Sequence, residues 1–480
     1  MKRLALGLMA LATLWTAAVH GAVLGYDDAK HLLLRSGFAP MEAEVQAFSR
    51  LSRSQAVDRL LGETRTLAQT PPPDWVDEPR LMLNRLKDLP EEEKKALLRQ
   101  EIQRGIGLRG WWYQEMLATP SPLTERMTLF WHNHFVSSQQ KVKVSQLMYR
   151  QNLLLRSQAL GNFGTLLHAV AKDPAMIVYL DSVSNRRGQP NENFAREVME
   201  LFTLGVGHYT EQDVREAARA FTGWSLDRAS GEFRFYPFLH DGGQKTVLGR
   251  SGNLDGDDVL DILLAQPAMA EFVVTKLWHE FVSPQPDAAE VKRLAAVFRS
   301  EHYEIKPVLR ALLVSDAFYA RENRAALIKS PVELLVGTAR QFGVTGLDSR
   351  LFALAGRQLG QDLFGPPNVK GWPGGEDWIN STTLLGRKQV MARLFRAEEM
   401  PAPASDNGRD ARMARRIGRS LDSMVFDAER FFAAFAGSES ARRAQAEKLV
   451  LAAPATQPSS DGGRLEFVRH LALDPAYQLK

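Results

Sequence analysis

Helical spacing of apolar residues recurs along most of this chain and constrains its fold more than any other feature. Apolar side chains three, four and seven positions apart lie on one stripe of an amphipathic α-helix. A long helix is expected from Pro90 towards Leu117, since its first turn is acidic and suits the helix dipole. The spacing predicts further helices over residues 123–136, 145–171, 191–204, 211–222, 258–282, 288–299, 306–318, 330–342 and 349–362.

Strand signals are scarce in comparison. The best one is the alternating segment Phe233–Tyr236, which Pro237 and the pair Gly242-Gly243 separate from Thr246–Leu248. Two short alternating segments joined by turn residues predict a β-hairpin or a two-stranded insert. The sequence therefore predicts a mainly α protein, a multi-helix globular bundle with a small β-hairpin insert.

The first 22 residues have the pattern of a secretory signal peptide. Lys2 and Arg3 precede an apolar core that runs to Trp15, which is shorter than the roughly 20 residues needed to span a bilayer. Small residues place the cleavage after Gly21 or Ala22. An uncleaved N-terminal anchor is the alternative. We therefore expect a periplasmic or secreted protein with no membrane span after signal cleavage.

Composition separates the rest of the chain into two predicted parts. Residues 23–396 form a helical domain with a candidate sub-boundary near 225–255, and residues 397–480 form a basic, Ala/Arg-rich helical tail. The absence of cysteine excludes disulfides and thiolate catalysis. Once Lys2 and Arg3 are removed, 58 basic residues face 56 acidic ones. Such a balance is an ordinary mixed surface and indicates no nucleic-acid partner.

The segment Asn191–Gly205 contains the first group of residues that could support chemistry. On a helix, Glu197 and Glu200 lie on adjacent turns, an arrangement that suits two metal ligands or an acid and base pair. The alternative is a solvated face on which Arg196 pairs with both Glu192 and Glu200. Periodicity alone favours the solvated face.

Two histidines end the segment Leu123–Phe135. His134 shares an apolar stripe with Met127 and Trp131, whereas His132 points roughly 200° away if the helix continues. Histidines at this spacing chelate one metal ion only if the helix ends or the backbone extends here. For His134 the alternatives are a hydrogen-bonded core histidine, which the pattern favours, and a ligand or proton shuttle.

Two glycine-rich loops complete the set of candidates. The loop His240–Lys245 combines a histidine, an aspartate and a lysine, which suits proton transfer or anion binding, although its glycines also serve an ordinary turn. The segment Gly365–Gly375 is followed by Trp378. Trp372 and Trp378 either wall a pocket that stacks a sugar or aromatic ligand or anchor the loop to the helical body, and anchoring is favoured.

These segments together resemble a bacterial family catalogued as domain of unknown function 1800. The resemblance implies an exported protein that is often encoded near a second exported family of sulfatase-like character, which is a candidate partner. It also implies that the Glu, His and Asn positions form one interior cluster, but it implies no reaction. It rests on runs in consistent order over residues 26–396, namely Phe130–Phe135, Asp173–Met176, Tyr179–Asp181, Asn191–Leu201 with Gly205, Tyr209–Glu211, Gly223-Trp224, His240-Asp241 with Lys245, and Pro366–Pro373.

Two functional hypotheses follow from these candidates. The first is an exported metal-assisted hydrolase, in which one divalent ion activates water. Its proposed metal ligands are His132, His134, Glu197 and Glu200. Its proposed catalytic residues are Glu197, Glu200, His240 and Asp241, and its substrate-binding residues are Asn191, Asn193, Arg196, Lys245 and Trp372. The second is a noncatalytic binding or assembly module acting with a co-exported partner, in which the same polar groups lock the helices together.

Overall fold

The computed structural model describes residues 22–80, 89–395, 425–458 and 462–480, so nearly all of the proposed signal peptide lies outside the described residues. The described residues confirm the predicted mainly α fold, with 22 α-helices and two small antiparallel sheets. None of the helices in these described residues has both the length and the apolar character needed to cross a membrane.

The α-helices follow one another along the chain with short connections. The N-terminal set comprises α1 Gly25–Ser36, α2 Glu42–Ser49, α3 Arg53–Gly62, α4 Glu91–Ala118, α5 Pro122–His134, α6 Gln139–Val142, α7 Ser145–Ser157, α8 Phe163–Ala171, α9 Pro174–Tyr179, α10 Asn193–Glu197 and α11 Glu211–Ala220. The C-terminal set comprises α12 Gly256–Leu264, α13 Pro267–Phe281, α14 Ala288–Ser300, α15 Ile305–Leu313, α16 Asp316–Tyr319, α17 Pro331–Gln341, α18 Ser349–Gln358, α19 Ser381–Leu394, α20 Ala428–Phe432, α21 Glu439–Val450 and α22 Arg464–Leu473.

Two of the long predicted helices are each divided in two. The segment 145–171 breaks after Ser157, and the side chain of Asn162 caps α8 by accepting from the N–H of Thr165 at 3.1 Å. The segment 258–282 breaks before Pro267, which occupies the first turn of α13. Apolar periodicity continues across both breaks, so only the capping residue and the proline mark them.

The β insert is confirmed, but its strands pair differently from the predicted hairpin. Strand β1 Trp224–Leu226 pairs with β2 Phe233–Phe235, and β3 Lys245–Val247 pairs with β4 Arg250–Gly252. In the second hairpin Leu248 and Gly249 both have positive φ, which is typical of a tight two-residue turn. Each predicted strand therefore pairs with its nearest neighbour in the sequence, because a short turn costs less loop-closure entropy than a long one.

Helices α5 and α17 lie at the centre of the fold. From Leu123 to His132 every residue of α5 is buried, and α17 is buried from Pro331 to Ala339. A helix buried on all sides has no solvent face on which to place charges. The charged residues that these two helices carry must therefore find partners inside the protein.

The described part of the C-terminal segment packs against this centre. The hydroxyls of Tyr477 and Thr338 lie 2.7 Å apart, and the ring of Tyr477 contacts Phe342. A further ring cluster joins Phe395 and Phe431 to Phe342. The domain boundaries near 225–255 and after residue 396 stay predictions.

Candidate functional site

A cavity of about 460 Å³ lies between α5, α13, α17 and the loop that follows α18. Two segments that were predicted separately from the sequence both reach this cavity. They are the C-terminal end of α5 and the segment Gly365–Gly375, named here the Trp/Gly/Pro loop. Its charged and polar lining consists of Arg126, Asn133, His134, Lys276, His279, Glu280, Ser330, Glu333, Gln361, Lys370 and Lys480, and its aromatic lining consists of Phe130, Trp372 and Trp378.

A buried ion network forms the floor of the cavity. The guanidinium of Arg126 lies between the carboxylates of Glu280, at 2.6 Å, and Glu333. Glu333 also pairs with the ammonium of Lys480 and accepts from the backbone N–H of Ser330 at 2.7 Å. Burial lowers the pKa of Arg126 and of Lys480, since desolvation disfavours the charged form. This network was not predicted from the sequence, although Arg126 stands beside Met127 on a helix too apolar for an unpaired charge.

Asn133 connects the end of α5 to the Trp/Gly/Pro loop. Its Oδ1 accepts from the backbone N–H of Trp372 at 2.7 Å, and its amide group donates to the carbonyl of Trp372 at 3.3 Å. The preceding residue is Gly371, with φ +83°. A Cβ at this position would lie 2.2 Å from Asn133 Oδ1, so only glycine fits this close approach.

His134 is a hydrogen-bonded core histidine, the interpretation that the sequence pattern favoured. The ammonium of Lys276 donates to its Nδ1 at 3.1 Å, and its Nε2 lies 3.0 Å from the carbonyl of Phe202. Because an ammonium can only donate, Nδ1 accepts and Nε2 carries the hydrogen. Burial lowers the pKa of His134 well below its usual value, with a further contribution from the charge of Lys276. The ring is therefore neutral.

His134 and Lys276 together satisfy the C-terminal end of the Asn191–Gly205 segment. After α10 this segment becomes a π-helix over Val198–Thr203, where a regular α-helix was expected. The carbonyls at its end have no intrahelical donor. The carbonyl of Phe202 accepts from His134, and the carbonyl of Leu201 accepts from Lys276 at 2.9 Å. Helices α5 and α13 thus contact the π-helix through its backbone carbonyls rather than through carboxylates.

His132 lies on another side of α5, in an aromatic environment of its own. Its ring contacts Trp112, Phe364 and Trp372 at centroid distances of 5.4–5.7 Å. Burial lowers its pKa to about 3, and Arg109 adds to the effect. His132 and His134 therefore contact separate sets of residues, and no shared polar partner connects them in the described structure.

The acidic residues of the Asn191–Gly205 segment lie at half-buried positions. Burial raises the pKa of Glu197, and the neighbouring charge of Glu200 raises it further. Glu200 accepts from the hydroxyl of Tyr209 at 2.9 Å. Arg196 pairs with Glu192 as expected, but its second partner is Glu211 at 2.7 Å rather than Glu200. The wider π-turn that starts at Val198 displaces Glu200 from the regular spacing of four.

The two asparagines of this segment stabilise the loop before α10. Asn191 donates to the hydroxyl of Ser184 at 2.9 Å, and its Oδ1 accepts from the backbone N–H of Asn193. Asn193 donates in turn to Asp181 at 3.3 Å. Neither residue lines the cavity.

The loop His240–Lys245 lies between β2 and β3 and contacts α11. Asp241 forms an ion pair with Arg219 at 2.8 Å, which lowers its pKa to about 2. The Nδ1 of His240 lies 2.9 Å from the carbonyl of Thr222. Lys245 is buried and donates to the carbonyl of Gly243 at 3.0 Å, and burial lowers its pKa. These groups are satisfied locally and lie outside the lining of the cavity.

The predicted substrate-binding and metal residues are thus distributed over several places. Trp372 and His134 line the cavity, whereas His132, Glu197, Glu200, His240 and Asp241 do not. Within the described residues, no three His, Cys, Asp or Glu side chains are grouped so that they could hold a metal ion.

Comparison with known proteins places the chain in a family. A profile described as "Protein of unknown function (DUF1800)" matches residues 31–479. The chain belongs to the DUF1800 family. The match extends past residue 396, so the C-terminal segment of this DUF1800 protein is part of the family sequence, although the resemblance seen in the motifs ended there. A search of curated proteins and a search of solved structures each found no match.

We expect the DUF1800 protein to lose stability as the pH falls from 7 to 5. The pKa values of His132 and His134 are lowered from 6.5, so below pH 6.5 the unfolded chain binds protons that the folded chain excludes. Each histidine then removes about 1 kcal/mol of the free energy of unfolding per pH unit between pH 7 and 5, approaching about 1.4 kcal/mol per unit at lower pH. Asp173, whose pKa burial raises to about 7, acts in the opposite direction. Urea unfolding at pH 7, 6 and 5 measures the slope.

Two histidine variants test whether His132 causes part of this pH dependence of stability. His132→Phe fits the aromatic surroundings and is expected to flatten the pH dependence by about 1 kcal/mol per unit. The matched control His208→Asn changes an exposed histidine and is expected to leave the slope unaltered. An unchanged slope in His132→Phe would show that this ring takes up its proton in the folded state.

Proposed function

We propose that this DUF1800 protein binds a small organic molecule in the cavity between α5, α13, α17 and the Trp/Gly/Pro loop. The observation that carries the proposal is one concave space of about 460 Å³ with aromatic and charged walls. Ligand sites are typically clefts of roughly 300–1,000 Å³, mostly apolar, with a few convergent polar groups. Groups whose pKa burial shifts strongly, such as Arg126 and Lys276, also concentrate at functional sites.

The charged groups of the cavity favour binding over hydrolysis. Glu280 and Glu333 both form ion pairs with Arg126, so both carboxylates of the cavity are engaged with a buried cation. Lys276 has its pKa lowered to about 8 by burial, but it donates to His134 and to a backbone carbonyl. The proposal therefore follows the second hypothesis, a noncatalytic binding module, in preference to a metal-assisted hydrolase.

We also propose that the protein is exported and acts with a co-exported partner protein. The basic start and short apolar core of residues 1–22 support export to the periplasm or outside the cell. A co-exported sulfatase-like partner is supported by the family resemblance alone.

Calorimetric titration with four ring compounds tests the proposed site. The probes are glucose, glucuronate, benzyl alcohol and benzoate, and at least one is expected to bind the full-length mature protein. Trp378→Ala removes a wall of the cavity and is expected to weaken that binding about tenfold, since a stacking ring contributes about 1–3 kcal/mol. The matched control Trp75→Ala removes a tryptophan outside the cavity lining and should retain the affinity.

Two outcomes would refute the proposed site. The first is that none of the four compounds binds. The second is that a compound binds equally to the wild type and to Trp378→Ala, which would place its site elsewhere. Circular dichroism of each variant establishes that the fold is retained.

A further inference from the structure

We infer that the ligand of this cavity is a ring compound bearing a carboxylate. The inference rests on the proposed function and specifies its ligand class. It comes from a comparison of hydrogen-bond donors and acceptors in the cavity wall: the donors that lack a protein partner exceed the acceptors that lack one.

Four of the eight described tryptophans donate their indole N–H to a protein oxygen, and the other four do not: Trp75 and Trp224, which lie outside the cavity, and Trp372 and Trp378, which line it. In the core, the indole nitrogens of Trp111, Trp112, Trp131 and Trp278 each donate to a protein oxygen. The cavity residues Trp372 and Trp378 are only 4% and 7% exposed, yet their indole nitrogens donate to no acceptor among the described residues. A buried indole N–H normally has a partner. Both cavity tryptophans therefore have a donor available for a ligand.

Two further donors of the cavity wall lack an acceptor within the described chain. Gln361 is a buried residue, 3% exposed. Its Oε1 accepts from the backbone N–H of Val332 at 3.0 Å, but its side-chain NH₂ group donates to no acceptor in the described structure. Lys370 is an exposed residue of the lining whose ammonium forms no ion pair in the described structure, although its charge acts on Glu197.

The side-chain acceptors of the cavity wall are mostly occupied. Both oxygens of Glu333 are engaged, one by Arg126 and Lys480 and the other by the N–H of Ser330. The Oδ1 of Asn133 accepts from the backbone of Trp372. The second oxygen of Glu280 is the exception. A ligand that forms hydrogen bonds with this wall must therefore supply hydrogen-bond acceptors.

The kind of acceptor group follows from the kind of donor. Most free donors here are neutral N–H groups. Among the lining lysines, Lys480 pairs with Glu333 and Lys276 donates to His134 and to a backbone carbonyl. Lys370 forms neither an ion pair nor a side-chain hydrogen bond in the described structure. Neutral donors with one ammonium match one negative charge spread over two oxygens, as in a carboxylate. A phosphate would bring close to two charges and would require more cationic donors. The flat faces of Trp372 and Trp378 then account for the ring.

Matched pairs of probes test the inference by calorimetric titration. In whichever pair fits the cavity, we expect the acid to bind about tenfold more tightly than its neutral partner. The two comparisons are glucuronate with glucose and benzoate with benzyl alcohol. Lys370→Gln and Trp378→Phe are each expected to lower the affinity of the acid about three- to tenfold and to leave that of the neutral partner unchanged. The control Lys292→Gln alters an exposed lysine of α14 without an ion pair in the described structure and should have no effect.

The outcomes separate this inference from the proposed function. If a neutral compound binds as tightly as its acid, the cavity is a ligand site but the carboxylate assignment is wrong. If the acid binds more tightly and both variants leave its affinity unchanged, the assigned donors are wrong. If none of the probes binds, the proposed function itself fails. Phe at position 378 keeps the flat ring, so a loss confined to the acid identifies the N–H.

Discussion

Replacing Glu333 with glutamine is expected to lower the free energy of unfolding by about 3–5 kcal/mol, the cost of breaking a buried ion pair by removing one partner. Glutamine keeps the shape of the side chain but removes its charge. The guanidinium of Arg126 and the ammonium of Lys480 would then remain in the interior with only Glu280 to balance them. Urea unfolding followed by circular dichroism measures the change at pH 7.

Two comparison variants make this prediction specific. Asp316→Asn removes the fully exposed partner of Arg53, and we expect almost no shift of the unfolding midpoint. The double variant Arg126→Met with Glu333→Gln is expected to lose clearly less than the sum of the two single losses, because the unpaired guanidinium is gone. Additive losses would show that Arg126 and Glu333 act independently and would refute the network.

The second large effect is expected from Gly371→Ala. The positive φ of Gly371 costs an alanine about 1–2 kcal/mol, and overlap of its Cβ with Asn133 adds a similar or larger amount, for about 3 kcal/mol in all. The side chain of Asn133 would have to leave the backbone of Trp372. We therefore expect both lower thermal stability and weaker ligand binding.

Gly374→Ala in the same loop is the matched control. Gly374 also has positive φ, but a Cβ there would meet no atom within 4 Å. Its expected loss is therefore only the backbone contribution of about 1–2 kcal/mol. Equal losses for the two variants, measured by urea unfolding, would mean that the close approach to Asn133 contributes nothing.

The helical fold could be predicted from the sequence because the periodicity of apolar residues follows directly from which side of each helix is buried. The prediction succeeded even for α5, where His134 was correctly placed on the packed side. It failed at the π-helix of Val198–Thr203, because the same apolar stripe accommodates one extra residue in a turn without any change of residue type. It also failed for strand pairing, because alternation predicts a strand but not its partner.

The candidate site was only partly readable from the sequence. The suggestion that Trp372 and Trp378 wall a pocket matches the cavity, and the alternative of a loop anchored to the body matches the bonds of Asn133 to Trp372. The side chains of His132, His134 and Glu197 do not form the proposed cluster. Helix α5 contacts the π-helix at the backbone carbonyls of the π-helix and not at its carboxylates. Arg126 and Glu333 are 207 positions apart in the chain, so nothing in either local pattern identifies their pairing.

A crystal structure of the protein soaked in glucuronate and, separately, in benzoate would show where an acid binds. We expect ligand density between Trp372 and Trp378, with the carboxylate within about 3.5 Å of the amide of Gln361, an indole N–H or the ammonium of Lys370. Density for neither acid in this cavity, or an acid bound with its carboxylate pointing away from these donors, would contradict this expectation.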